Sequence, residues 1–202
     1  MGKVIKFPVT PPEKLGPQKV QKRRRKDPED FGQLNLFHQI HEGRLLLPLE
    51  EDKSFFDEAL ALDEAADPRA EQYYLKAIDA QQSVADAYCN LGILMSRKDD
   101  STKAIDYLSK CLRENSRHFE AHYNMGNVYS EIGNYPLAKI HYEVAIELEP
   151  SFSNSYYNLA LVHISLKNYP EAQKVLNTYL TLTPDFDQDV AQDLMKTLNS
   201  FK

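Results

Sequence analysis

No apolar run in the 202 residues is long enough to cross a bilayer as a helix, and the first residues lack the apolar segment of a secretory signal. The expectation is a cytoplasmic protein without a transmembrane segment. Only two cysteines occur, Cys89 and Cys111, and their spacing matches no metal-ligand pattern, so reduced thiols are expected rather than a disulfide or a metal centre. The few glycines form no phosphate-cradling cluster, and neither a nucleophile motif nor a paired His-Glu metal motif is present. His38 and His41 stand one helical turn apart, but no third ligand is near, and they read as exposed side chains. His122, His141 and His163 fall at packing or outer-face positions, which suits a structural rather than a catalytic role. Neither catalysis nor a cofactor is expected.

The net charge of −6 hides an asymmetry. Residues 1–26 carry nine Lys or Arg against the single acid Glu13, a net of +8, which leaves −14 for the remainder. With Pro8, Pro11, Pro12, Pro17 and Pro28 and few large apolar side chains, residues 1–30 have too little to bury to offset chain entropy, and a disordered tail is expected. Its cluster Lys19, Lys22, Arg23, Arg24, Arg25 and Lys26 suits nucleic acid phosphates, an anionic membrane or an acidic protein surface, and equally a solvated tail. The cluster also complements the acidic body, so residues 19–26 are a candidate occupant of it, displaced when a partner arrives. Residues 31–51 turn apolar, with Leu34, Phe37 and Ile40 and then Leu45, Leu46 and Leu47, as a linker or short docking helix.

What the rest of the chain holds is a repeat. Residues 119–152 overlay their neighbours at a shift of 34. Gly126, Ala138 and Ala145 become Gly92, Ala104 and Cys111 one copy back, and Ala160, Ala172 and Tyr179 one copy forward. Large residues recur too: Met125 with Leu91 and Leu159, Tyr142 with Leu108 and Leu176. Small residues let two antiparallel helices approach, large ones fill the groove between them, and Pro150 ends the second helix. Spacing and residue types resemble the tetratricopeptide repeat (TPR), a helix-turn-helix unit of this length. The expected fold is all-α, an α-solenoid of four TPR helix pairs over 52–186 (52–84, 85–118, 119–152 and 153–186). The first pair is degenerate, shorter by one residue, and carries Glu58 where the others carry Leu91, Met125 and Leu159.

Within each regular copy the turn falls at Asp99–Asp100, Gly133–Asn134 or Lys167–Asn168, with Gly133 and Asn168 suited to a left-handed conformation. Pro136 and Pro170 open second helices, where a missing amide proton does no harm. Residues 187–202 read as a capping helix, opened by a capping box of Asp185 and Gln188 and packed through Val190, Leu194 and Leu198.

The resemblance implies a concave wall built from the first helix of each pair, where family members bind peptides. Carried over residue by residue, the peptide-binding groove consists of Asp86, Cys89, Asn90, Ile93 and Arg97, then Glu120, Tyr123, Asn124, Asn127 and Glu131, then Asn154, Tyr157, Asn158 and Leu161. Asn90, Asn124 and Asn158 occupy one column, similar to the asparagine ladder in the TPR region of protein O-GlcNAc transferases. A carboxamide both donates and accepts, so it pairs with peptide backbone of any sequence; the alternative is that these asparagines only bond neighbouring helices. With helices ~8–10 Å apart and an extended chain rising ~3.3 Å per residue, successive asparagines meet about every third residue or further. The first repeat has Asp57 at this position. The family's clamp for chaperone C-terminal carboxylates needs basic residues where this chain has Cys89, Asn154 and Asn158. The expected partner is therefore a neutral or basic protein segment with apolar anchors for Tyr123 and Tyr157, bound by a non-catalytic scaffold or adaptor. The alternative is a regulatory or assembly factor whose tail touches nucleic acid or anionic membrane while the array recruits protein.

Overall fold

The computed structural model describes residues 15–21, 54–184 and 188–199. Among them it places nine helices and no strand: α1 Phe55–Glu64, α2 Ala70–Asp79, α3 Val84–Arg97, α4 Ser101–Glu114, α5 Phe119–Glu131, α6 Tyr135–Leu148, α7 Ser153–Ser165, α8 Tyr169–Leu182 and α9 Asp189–Asn199. They pack in pairs, α1 on α2 through α7 on α8, with each second helix against the next first helix and α9 on α8; α3, α5 and α7 also touch in succession along one side. This is the expected all-α helical-repeat solenoid. The proposed docking segment 31–51 and His38 and His41 lie outside the described residues.

The repeat columns mark the closest helix approaches. A Cβ built on Gly126 would lie 2.7 Å from the Tyr142 ring, and one on Gly92 would lie 2.6 Å from Leu108 Cγ. Ala104, Ala138, Ala145, Ala172, Leu108, Tyr142 and Leu176 are all fully buried. Asp100 and Asn134 cap their helices by accepting the amides of Lys103 and Leu137. Pro136 and Pro170 fall in the first turns of α6 and α8.

Three sequence expectations need correction. The left-handed residue in the last turn is Lys167, with φ 60°, whereas Asn168 has φ −93° and stands at the N-cap of α8. The Asn168 amide bonds back to His163 O at 2.8 Å, as Asn134 does to Tyr129 O and Asp100 to Met95 O, so the closing geometry demands the left-handed turn one residue earlier. Asp185 lies outside the described residues, and Gln188 does not sit inside a first turn: it precedes α9 and its amide donates to Leu180 O at 2.8 Å and Thr183 O at 2.6 Å, tying α9 to the carbonyl end of α8. The buried face of α9 is consequently Ala191, Leu194 and Leu198, while Val190 is 58% exposed. They cluster with Tyr179, Tyr157 and Leu176.

Candidate peptide-binding groove

Asn90, Asn124 and Asn158 sit on α3, α5 and α7 in one row, all buried. Each grips one residue of the segment Leu15–Gln21 by both of its backbone groups. Leu15 N donates to Asn158 Oδ1 at 2.8 Å while Asn158 Nδ2 donates to Leu15 O at 3.0 Å. Gln18 and Asn124 repeat the pair at 2.9 and 2.7 Å, and Val20 and Asn90 at 3.0 and 3.1 Å. The segment runs against the repeat order, from the fourth pair toward the first. Residues 15–21 thus depart from the disorder expected of 1–30: a short stretch with no core of its own is held by a ready-made one. Lys22, Arg23, Arg24, Arg25 and Lys26 lie outside the described residues.

Side chains complete the contact. Val20 is 1% exposed, in a cluster with Cys89 and Ile93. Leu15 packs on the cluster that holds Tyr157 and Leu161. Tyr123 O–H lies 3.1 Å from Leu15 O and 3.0 Å from Gly16 O. Behind it, Asn158 Nδ2 reaches Tyr123 Oη at 3.0 Å and Asn127 Oδ1 at 2.9 Å, and Tyr142 O–H donates to Asn127 Oδ1 at 2.6 Å. One network therefore runs from the segment's carbonyls into the core of the third repeat. Asn154 is half-buried at the start of α7.

Not every residue assigned to the groove faces the segment. Asp86 and Glu120 turn to His118, at 2.9 and 3.4 Å. Glu131 accepts from Ser96 at 3.2 Å, and Arg97 bonds Asp63. The acid that meets the tail is Asp63 of α1, with Lys19 Nζ 2.7 Å from Oδ2 and Tyr74 O–H donating to the same carboxylate at 3.3 Å. Burial works to raise the Asp63 pKa, but hydrogen bonds from Lys19 and Arg97 outweigh it and hold the carboxyl below its usual range. Asp63 escaped the column comparison because its counterparts are Ser96, Ser130 and Ile164, which carry no charge to mark the position.

The fold also joins groups that their spacing kept apart. Donor atoms of Cys89, Cys111 and His118, all buried, lie within 4.8 Å of one another. These residue types suit a soft divalent metal, a proximity that linear spacing does not reveal, and both cysteines are free thiols as expected. Both His118 ring nitrogens are already engaged, however: Nδ1 accepts the Ala121 amide at 3.2 Å as the cap of α5, and Nε2 meets Asp86 at 2.9 Å. A metal would have to replace one of these bonds.

On another face of the third repeat, His122 Nε2 lies 3.2 Å from Ser116 O and therefore carries a proton, so its Nδ1 accepts from His141 Nδ1 at 3.1 Å. Burial lowers both pKa values, and with the His122 neighbour brings His141 to about 4. The neutral forms are favoured by folding; the stabilisation is present above the ordinary histidine pKa of about 6.5 and is lost as pH falls toward 4. Urea midpoints are expected to drop between pH 6.5 and 4.5, with a shallower drop in His141→Gln. An equally steep profile in that variant would contradict this assignment.

Tetratricopeptide-repeat family models match residues 85–118, 119–152 and 141–174. Among solved structures, MamA residues 41 to the end from Desulfovibrio magneticus RS-1 aligns with a TM-score of 0.61 at 21% identity, covering 74% of this chain and 90% of that one. The first TPR of Spaghetti (RPAP3) bound to the HSP90 peptide SRMEEVD aligns at 0.54 and 17% identity, over 58% and 91%. The TPR2B domain of yeast Sti1 in its pHsp70 complex aligns at 0.53 and 18%, over 58% and 98%. No curated protein matches the chain significantly. The repeat columns, the succession of helix pairs and the family matches agree: the chain is a tetratricopeptide-repeat protein.

Proposed function

We propose that this chain is a protein-interaction module, a scaffold or adaptor whose row of first helices holds an extended peptide segment. The observation that carries this reading is the use of all three column asparagines on both backbone groups of a gripped residue. Such pairing needs only an extended backbone, and each bond contributes about 0.5–1.5 kcal/mol net. The fold shared with Spaghetti and Sti1, whose structures are peptide complexes by their descriptions, supports the same use of the array. The ligand preference differs. SRMEEVD is acidic, whereas here Asp63 stands at one end of the row and no basic clamp residue occupies Cys89, Asn154 or Asn158, so a neutral or basic segment is favoured.

The test uses the full chain with Lys19→Glu and Val20→Asp to empty the groove, and a fluorescent peptide of residues 12–23 as probe. Adding Asn90→Ala and Asn124→Ala is expected to weaken binding at least about tenfold, since four backbone bonds are lost. Unchanged affinity in a variant shown by circular dichroism to be folded would overturn the reading. Asn158 is spared because it also bonds Tyr123 and Asn127.

A further inference from the structure

Building on the groove as a peptide site, we propose that it selects an extended segment bearing a lysine followed by a small aliphatic residue, and that Leu15–Gln21 is a tethered copy of this ligand that a partner must displace. The asparagines read backbone and are indifferent to sequence, so selectivity has to come from side chains that enter the array. Two do so decisively. Val20 is 1% exposed while Asn90 fixes its backbone, which leaves no route outward for a charged or much larger side chain. Lys19, immediately before it, reaches a carboxylate whose side chain is only 2% exposed. Gly16, Pro17 and Gln21 are exposed and carry little information.

Asp63 is built to receive a cation. Arg97 takes Oδ1, and the remaining oxygen has the Tyr74 hydroxyl and Lys19. A glutamate in the Lys19 position would place two carboxylates together at the edge of a desolvated site. Lysine suits the geometry because its compact ammonium rides on a long stem, and Arg97 already occupies the wider approach.

Occupation by the chain's own segment has a calculable consequence. Joined to α1 through residues 22–53, the segment acts at an effective concentration on the order of 1 mM if its tether spans freely. A free peptide with an intrinsic Kd of about 10 µM would then bind the intact chain roughly 100-fold more weakly than an emptied one.

The experiment titrates three labelled peptides of residues 12–23, one unaltered, one with Lys19→Glu and one with Val20→Asp, into the full wild-type chain and the full chain emptied by Lys19→Glu and Val20→Asp. Gln18→Pro, which removes the amide that Asn124 accepts, provides a second emptied chain. The emptied chains are expected to bind the unaltered peptide about 100-fold more tightly than wild type does, and each altered peptide at least about tenfold more weakly than the unaltered one. In the emptied background Asp63→Asn should erase most of the preference for lysine over glutamate. Equal binding of all three peptides overturns the selectivity and leaves the backbone-reading groove standing. Binding of none overturns the groove itself. Equal affinity of wild-type and emptied chains overturns the tethered ligand, as does a wild-type dimer in light scattering that Gln18→Pro dissociates, because the segment would then come from a second copy.

Discussion

Tyr142→Ala is expected to lower the unfolding free energy by about 3–5 kcal/mol, the usual cost of deleting a large buried aromatic side chain. The ring is fully buried and packs over Gly126 at a distance that would exclude even a methyl group. With no side chain on Gly126 to relax into the space, the cavity stays open. The hydroxyl adds a second loss, since Asn127 Oδ1 then loses the Tyr142 bond in the network that reaches the groove. Tyr142→Phe isolates that part and is expected to cost about 1 kcal/mol. Urea denaturation of both variants checks the pair; a loss below about 1 kcal/mol in the alanine variant would show that neighbouring helices collapse into the space.

Gly126→Ala attacks the same contact from the other side and is expected to cost about 1–3 kcal/mol by overpacking. The new Cβ would lie within 2.7–2.9 Å of three Tyr142 ring atoms. That ring cannot flex internally, and its hydroxyl is anchored on Asn127. The double variant Gly126→Ala with Tyr142→Leu copies the buried pairing of Ala160 with Leu176 in the following repeat and should recover part of the loss. No recovery in denaturant melts would place the strain elsewhere than between these two side chains.

The architecture was legible because close helix packing repeats its demands. Gly92 and Gly126, or Leu108, Tyr142 and Leu176, are forced into register by one geometry, and a periodic constraint leaves a periodic trace. The asparagine row was visible as a column for the same reason. Features that occur once leave no such trace. Asp63 aligns with two serines and an isoleucine, and Cys89, Cys111 and His118 come from separate columns that meet only where the second pair joins the third. The order of residues 15–21 is invisible to composition for a different reason: composition reports whether a stretch can build its own core, and Val20 uses a core supplied by Cys89 and Ile93. At the ends of helices the errors were of one residue. Lys167 takes the left-handed turn despite its Cβ because the returning Asn168 amide fixes the position, and the first residue of α9 sets which of Val190 and Ala191 faces inward.

The gripped residues are spaced unevenly, three apart from Leu15 to Gln18 and two apart from Gln18 to Val20. Backbone groups return to the same side after three residues in a polyproline II helix and after two in a β-strand. The row of asparagines thus asks its ligand to change period at the residue held by Asn124. Pro17, with its fixed φ and missing amide, lies inside the three-residue step, where no carboxamide takes its N–H. Proline acts here as punctuation, tolerated between grips and excluded from them.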